Sequence, residues 1–210
     1  GIATIEVRGI NWRIDHCQFT NPTSSKSVGI NANGTNVTIS PVGLVDHCIF
    51  NNCKVLINGM GNFNTQNSQW ASNLGLGTSD AIYIEDCTFN YDGRGNCVDT
   101  NRAGKYVFRY NTVIDSEVMT HSLQAANERG TRKWEIYNNN FIGTGKIWAP
   151  FFVRGGTGVI FNNTVSGQWT QKNIILDNVR SCSFSADENI ALSGRCDGNH
   201  AADGNAAGKS

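Results

Sequence analysis

A six-residue pattern recurs seven times along the chain and gives the first indication of the fold. Each copy has an apolar residue at its first position, Cys or Asn at its fourth and Phe or Val at its sixth. The copies begin at residues 14, 45, 84, 108, 136, 160 and 179, so the pattern keeps its length while the spacers vary. Short strands of constant length joined by loops of variable length are typical of a solenoid.

A second strand-like run lies upstream of the copies. Apolar and polar residues alternate in residues 5–8, 28–31, 55–58, 97–100, 122–125, 152–154 and 174–177, which places the apolar side chains inward and the polar ones outward. We expect one strand in each upstream run, one ending at the Cys/Asn position and one around the Phe/Val position. This predicts an all-β, right-handed, single-stranded parallel β-helix of about seven to eight rungs. The alternative is a sandwich or jelly roll, but antiparallel strands do not need a repeat that always runs in one sense.

The repeated positions predict two stacked columns of side chains. The Phe/Val column is expected to be buried and consists of Phe19, Phe50, Phe89, Val113, Phe141, Val165 and Phe184. At the Cys/Asn position, Asn tolerates a left-handed bend and its amide can hydrogen-bond to the next rung, while a thiol is small enough for the same place. Cys17, Cys48 and Cys87 are expected to form a ladder of buried thiols. Cys53 with Cys97, or Cys182 with Cys196, could form disulfides.

The remaining segments are loops and ends. The longest loop covers residues 59–80 and contains Trp70, and a second loop over residues 142–150 contains Trp148. We expect the β-helix to occupy residues 1–190 and a Gly/Ala-rich tail to occupy residues 191–210. Because the sequence starts inside a strand, we expect it to be a segment of a longer chain, or the first rung to be covered by another subunit.

Charge and composition narrow the classes of partner. The 17 basic and 17 acidic side chains give a net charge of zero, which argues against a nucleic-acid or anionic-membrane partner. The 10 Phe and 5 Trp residues argue against disorder, and the apolar stretches are too short to span a bilayer. The seven cysteines are an odd number and cannot all pair within the chain, although secretion is compatible with this count.

Polar residues at outward positions of the upstream strands predict a binding face. They are Arg8, Asn31, Asn58, Asp99, Gln124, Arg154 and Asp177, with Lys54 and His121 beside them. Amides, carboxylates and guanidinium groups, with Trp70 or Trp148 at the rim, suit a long polar polymer such as a polysaccharide. The alternative is an ordinary solvated β face, which must be polar in any protein, and His121 would then be a surface or capping residue.

Two stretches resemble pectate lyases, which belong to the pectin-lyase-like β-helix superfamily. Trp12 to Phe19 is similar to the Trp-Ile-Asp-His-Cys-x-Phe segment of that family, and residues 45–50 repeat part of it. Residues 149–155 are similar to the family's Arg-x-Pro-x-x-Arg strand. The resemblance implies that Asp15 is a calcium ligand and that Arg154 and Lys54 bind the substrate carboxylate. Three positions depart from the family pattern: Trp148 replaces its first Arg, and Asn51 and Cys53 replace its acidic pair, so the calcium ligand set is incomplete.

Two classes of function follow from these patterns. The first is an extracellular or surface-exposed enzyme that binds an acidic polysaccharide and cleaves it by β-elimination. Arg8, Lys54, Arg154 and His121 could then neutralise the carboxylate and remove a proton without calcium. The second is a noncatalytic glycan-binding or structural rod of a surface adhesin, filament or phage tailspike. A basic residue is indispensable only in the first class.

Overall fold

A computed structural model describes residues 3–21, 27–34, 40–59, 74–121, 130–171 and 174–176. These residues form strands and contain no helix, and hence none that could cross a membrane. The strands are β1 Ile5–Arg8, β2 Ile10–Asp15, β3 Gln18–Thr20, β4 Ser27–Asn33, β5 Val42–Asp46, β6 Ile49–Asn51, β7 Cys53–Asn58, β8 Ile82–Glu85, β9 Thr88–Asn101, β10 Lys105–Arg109, β11 Thr112–Thr120, β12 Lys133–Tyr137, β13 Asn140–Thr144, β14 Phe151–Val153, β15 Thr157–Phe161, β16 Thr164–Gln168 and β17 Ile174–Leu176.

The strands lie in two parallel sheets. The first sheet has eleven strands, with β1, β4, β7, β9, β11, β13 and β16 in order along it, and the second has six strands in the order β2, β5, β8, β10, β12, β15. Neighbouring strands in the second sheet always pair in parallel, and the order of the strands follows their order in the sequence. This arrangement is consistent with a parallel β-solenoid. The all-β and parallel parts of the prediction are confirmed, while the handedness and the number of rungs stay predictions.

The predicted Phe/Val column is present in the described residues. The strand register joins Phe19, Phe50, Phe89, Val113, Phe141 and Val165 in that order. The rings of Phe19, Phe50 and Phe89 stack, with centroids 4.9 and 4.6 Å apart. The first position of the repeat forms a second inward column, made up of Ile14, Val45, Ile84, Phe108, Ile136 and Ile160. Phe184 lies outside the described residues.

The Cys/Asn column is also present, but the left-handed bend is one residue earlier than predicted. The third position of each described copy has φ between 50° and 58°: His16, His47, Asp86, Tyr110, Asn138 and Asn162. A bend there turns the side chain at the fourth position towards the backbone of the neighbouring copy of the pattern. The side-chain Nδ2 of Asn111 donates to Asn139 Oδ1 at 3.1 Å, and that of Asn139 donates to Asn163 Oδ1 at 2.9 Å.

The cysteines of the described region are thiols. The backbone N–H of Cys48 donates to Cys87 Sγ at 3.4 Å, which is the contact expected of a thiol ladder. Cys17 is only half buried. Cys53 and Cys97 are free, so the predicted disulfide between them is wrong. The thiol of Cys97 instead donates to the backbone oxygen of Glu117 at 3.3 Å. Cys182 and Cys196 lie outside the described residues, as do residues 191–210 of the predicted tail.

Candidate functional site

The structure divides the predicted outward column into two neighbouring columns. Asn31 is followed by Leu56 and Asp99 across the register, whereas Arg8 is followed by Asn33 and Asn58. The prediction of a single column is therefore wrong, because strand register rather than position within each run decides which side chains are neighbours.

Three of the predicted residues have polar contacts with neighbours on β1, β4 and β7. Arg8 is exposed and pairs with Glu6 at 2.6 Å. The amide Nδ2 of Asn58 donates to Asn31 Oδ1 at 3.2 Å and to Asn33 Oδ1 at 2.9 Å. These contacts do not include Asp99, His121 or Arg154.

Four other predicted residues come together, and we call them the Asp99 cluster: Lys54, Asp99, His121 and Arg154. Lys54 Nζ donates to Asp99 Oδ2 at 2.6 Å, and His121 Nε2 lies 2.6 Å from Asp99 Oδ1. Arg154 Nη2 contacts the His121 ring at Nδ1 and is 3.1 Å from Nε2. The side chains of Lys54, Asp99 and His121 keep only 11–13% of their accessible surface. Such burial separates the cluster from an ordinary solvated face.

The contact of Asp99 with His121 is short but bent. Oδ1 is buried and has no partner with regular hydrogen-bond angles among the described residues, although His121 Nε2 is close to it. Arg154 Nη2 is close to both ring nitrogens of His121, so the guanidinium group lies over the face of the imidazole rather than in line with one of its lone pairs.

Burial and neighbouring charges set the protonation of the cluster. Burial raises the pKa of Asp99, but the hydrogen bond and charge of His121 and the charge of Lys54 outweigh it, so this pKa lies well below its usual range. Burial lowers the pKa of His121, and the charges of Arg154 and Lys54 lower it further against the opposing effect of Asp99. At neutral pH, Asp99 is therefore an anion and His121 is uncharged.

The stem of Arg154 is fixed by contacts that do not involve the cluster. Its Nε donates to the backbone oxygen of Thr120 at 3.1 Å, and its Cζ lies 4.7 Å from the centre of the Phe152 ring. Phe152 packs edge-on against Trp148, with centroids 4.6 Å apart. Trp148, predicted at the rim, is thus connected to Arg154 through Phe152.

Sequence reasoning missed a second buried carboxylate beside the cluster. Glu117 is 1% exposed, accepts a hydrogen bond from Asn96 Nδ2 at 2.8 Å and another from the indole N–H of Trp148. Residues 116–121 do not alternate between apolar and polar types, and the predicted strand was placed downstream of Glu117, at residues 122–125. In the structure β11 ends at Thr120, after a register shift around Asp115, and Met119 pairs with Asp99.

Three predicted residues cannot be located, since Trp70, Gln124 and Asp177 lie outside the described residues. Asp15, the implied calcium ligand, is at the end of β2 in the second sheet, and its carboxylate is 2.9 Å from Arg13 Nε. Cys53, where the family has an acidic residue, is a buried free thiol. No group of three or more His, Cys, Asp or Glu side chains that could hold a metal ion occurs in the part of the chain that the structure describes. The residues present do not fit a calcium ion.

Comparison with protein-family models, with curated proteins and with solved structures finds no match to this chain. The function has to be inferred from the geometry of the Asp99 cluster.

Proposed function

We propose that this chain is a right-handed parallel β-helix of the pectin-lyase-like kind, with about seven to eight rungs, that binds and cleaves an acidic polysaccharide. The Asp99 cluster carries the proposal. It brings two cations, Lys54 and Arg154, together with a carboxylate and an imidazole in one largely buried group on the sheet face. A sugar carboxylate suits the fork of donors on Arg154 and the ammonium group of Lys54.

The same residues support β-elimination. That reaction needs the carboxylate of a uronic acid to be neutralised and a base to take the proton from the adjacent ring carbon. The glycosidic C–O bond on the next carbon then breaks, the electron pair of the C–H bond forms a C=C bond, and the leaving oxygen is protonated. Arg154 and Lys54 are the proposed neutralising groups. His121 is the proposed base, because its lowered pKa leaves it uncharged at neutral pH and its ring lies against the guanidinium group that would hold the carboxylate.

The experiment is incubation with a panel of polyuronides, while ultraviolet absorbance reports the unsaturated products. We expect absorbance to rise with wild type and to be lost in His121→Gln. His47→Gln, the same change at an exposed ring in another part of the protein, is the matched control and should keep the activity. Absence of product from every polyuronide would rule out the eliminase.

A second candidate is a noncatalytic glycan-binding or structural rod. It is favoured by the depth of the cluster, since 6% of Arg154 is exposed and the four side chains contact one another. Binding of a uronate oligosaccharide without any product would support this function over the enzyme. Either function agrees with an extracellular or surface-exposed protein, secreted or part of a virion.

A further inference from the structure

Two histidine side chains stack at the edge of the second sheet, far from the Asp99 cluster in sequence. His16 follows β2 and His47 follows β5, and their rings are parallel within 4° with centres 5.0 Å apart. The two side chains keep 72% and 53% of their accessible surface. Both residues have positive φ, 52° and 50°, at the third position of the six-residue pattern. The repeated bend of the backbone therefore presents two imidazoles side by side to solvent.

One edge of each ring faces a carboxylate. His47 Nδ1 lies 3.1 Å from Asp46 Oδ2, and His16 Nδ1 lies 3.9 Å from Asp15 Oδ2. The Asp46 carboxylate is fixed in turn by Arg13, whose Nε and Nη2 donate to its two oxygens at 3.1 and 2.8 Å. A neutral imidazole whose Nδ1 carries the proton has its lone pair on Nε2. The carboxylates thus leave Nε2, on the opposite side of each ring, for a ligand.

The charges around the two rings favour a cation. Asp15 and Asp46 share one guanidinium group, because Arg13 Nε also lies 2.9 Å from Asp15 Oδ2. Burial raises the pKa of Asp46, but hydrogen bonds from His47 and Arg13 outweigh it, so this pKa is lowered and the carboxyl group is ionised at neutral pH. The third position of the next copy of the pattern carries another carboxylate, that of Asp86.

We propose that His16 and His47 together bind one divalent transition-metal ion such as Zn²⁺ through their Nε2 atoms, with water in its remaining positions. Imidazole is a preferred ligand of such ions, whereas Ca²⁺ takes oxygen ligands. A metal-binding histidine commonly donates its other ring N–H to a carboxylate, which fixes the ring and makes it a better ligand. Asp46 holds that place behind His47. This site does not depend on the proposed function.

The two rings need only a small movement to share an ion. Two nitrogens on one tetrahedral zinc ion are about 3.4 Å apart, because each Zn–N bond is about 2.0–2.1 Å long. From the 5.0 Å between the ring centres, the Nε2 edges have to approach each other by roughly 1.6 Å. Rotation of two exposed side chains about their own bonds achieves this without a change in the backbone.

The first test is calorimetric titration of the metal-free protein with Zn²⁺, with Ca²⁺ as the comparison ion. We expect zinc to bind and calcium to give no heat of binding at this site. His16→Gln and His47→Gln should each weaken zinc binding on the order of 100-fold, because a single frame no longer holds two donors. His121→Gln, the same change at a histidine of the first sheet, is the matched control and should retain the wild-type affinity.

NMR of ¹⁵N-histidine-labelled protein identifies the ligand atoms. Zinc should shift the Nε2 resonances of His16 and His47 together, leave their Nδ1 atoms protonated and leave His121 unchanged. Asp46→Asn should weaken zinc binding by about 10- to 100-fold. Because Asp46 is buried, circular dichroism checks that this variant is folded. Asp15→Asn, a change to a more exposed carboxylate, should weaken binding in the same direction.

Three outcomes would overturn the proposal. The first is equal zinc affinity of wild type, His16→Gln and His47→Gln. The second is loss of binding in only one of these two variants, which would mean that the rings do not share an ion. The third is loss of binding in Cys17→Ser with retention in both histidine variants, which would assign the zinc to the partly exposed thiol next to His16.

Discussion

Two groups of buried charged side chains lie on different sheets of this protein, and they differ in their members and in the segments that they join. One is the Asp99 cluster on the first sheet. The other, which we call the Lys133 cluster, consists of Lys105, Lys133 and Glu135 on the second sheet together with residues 74–80. Lys133 Nζ contacts Glu135 at 3.0 Å and donates to the backbone oxygen of Gly75 at 2.6 Å, and Lys105 Nζ donates to Asp80 at 2.6 Å. Each lysine of this cluster has its own carboxylate.

This comparison shows that burial of charge alone does not mark a functional site. In the Lys133 cluster, charges and hydrogen bonds hold the segment 74–80 against the sheet, and the backbone N–H of Gly77 donates to Glu135 at 2.8 Å. The Asp99 cluster instead joins strands of one sheet face, contains an imidazole, and includes an acceptor oxygen of Asp99 without a regular hydrogen bond among the described residues. The Lys133 cluster is expected to serve stability, and the Asp99 cluster is expected to serve binding.

The largest expected effect is on the free energy of unfolding, after a change in the Lys133 cluster. Lys133→Met should lower the free energy of unfolding by about 3–5 kcal/mol, because it leaves Glu135 as a buried carboxylate without its cation. Urea unfolding followed by circular dichroism measures the change. Lys146→Met is the control, since that lysine is 49% exposed and 3.9 Å from its carboxylate, and it should have little effect. Equal small losses in both variants would mean that the Lys133 cluster does not stabilise the fold.

The next effect tests binding of a ligand at the Asp99 cluster. Arg154→Gln should weaken binding of a uronate oligosaccharide by about 1.5–3 kcal/mol, which is roughly 10- to 150-fold in Kd. Calorimetric titration measures it. Lys105→Gln changes a buried cation of the Lys133 cluster. It should leave the affinity of the folded protein for the oligosaccharide unchanged. If both variants bind as wild type does, the assignment of binding to the Asp99 cluster is wrong.

A smaller effect concerns the segment that covers the Lys133 cluster. Gly77 has φ +74° and open space around its Cα, so Gly77→Ala meets no atom but forces a side chain into the left-handed region. We expect a loss of about 1–2 kcal/mol in urea unfolding. Gly93 also has open space but an ordinary φ, and Gly93→Ala should be close to neutral. Similar values for the two variants would show that the backbone of this segment is not fixed by its contacts.

The smallest effect is a pH dependence. The folded pKa of His121 is lowered below the value of about 6.5 in an unfolded chain, so the unfolded state binds more protons in that window. Stability should therefore fall as pH decreases below about 6.5, by no more than about 1.4 kcal/mol per pH unit for one proton. Unfolding at pH 5 to 8 should show a flatter profile in His121→Gln and an unaltered one in the His47→Gln control. A profile that keeps its slope in His121→Gln would contradict the assigned burial of a neutral ring.

The repeat made the core of this fold predictable. Residues such as Phe50, Phe89 and Phe141 stand at a fixed position in a short pattern, and parallel strands in register must bring such residues together. The same logic predicted the Asn ladder. It did not locate the left-handed residue, because Asn stands at both the third and the fourth position of the copies at 136 and 160, so residue type alone does not single out the bend.

The site was predictable in part. Lys54, Asp99, His121 and Arg154 were all identified from their outward positions or the family resemblance. The sequence could not separate them from Arg8, Asn31 and Asn58, which have the same polarity and alternation. Glu117 was missed because the register shift at Asp115 changes where the strand lies, and such a shift has no signal in the alternation.

The sequence by itself determined which side chains face inward, since alternation and the six-residue repeat are local properties of the chain. Only the tertiary structure decided which outward charges meet. Lys54 and Asp99 are far apart in sequence but 2.6 Å apart in space, and Lys133 is buried because residues 74–80 lie against it. Desolvation and pairing of charges depend on strand register and loop position between residues distant in sequence, and these set the protonation of Asp99 and His121.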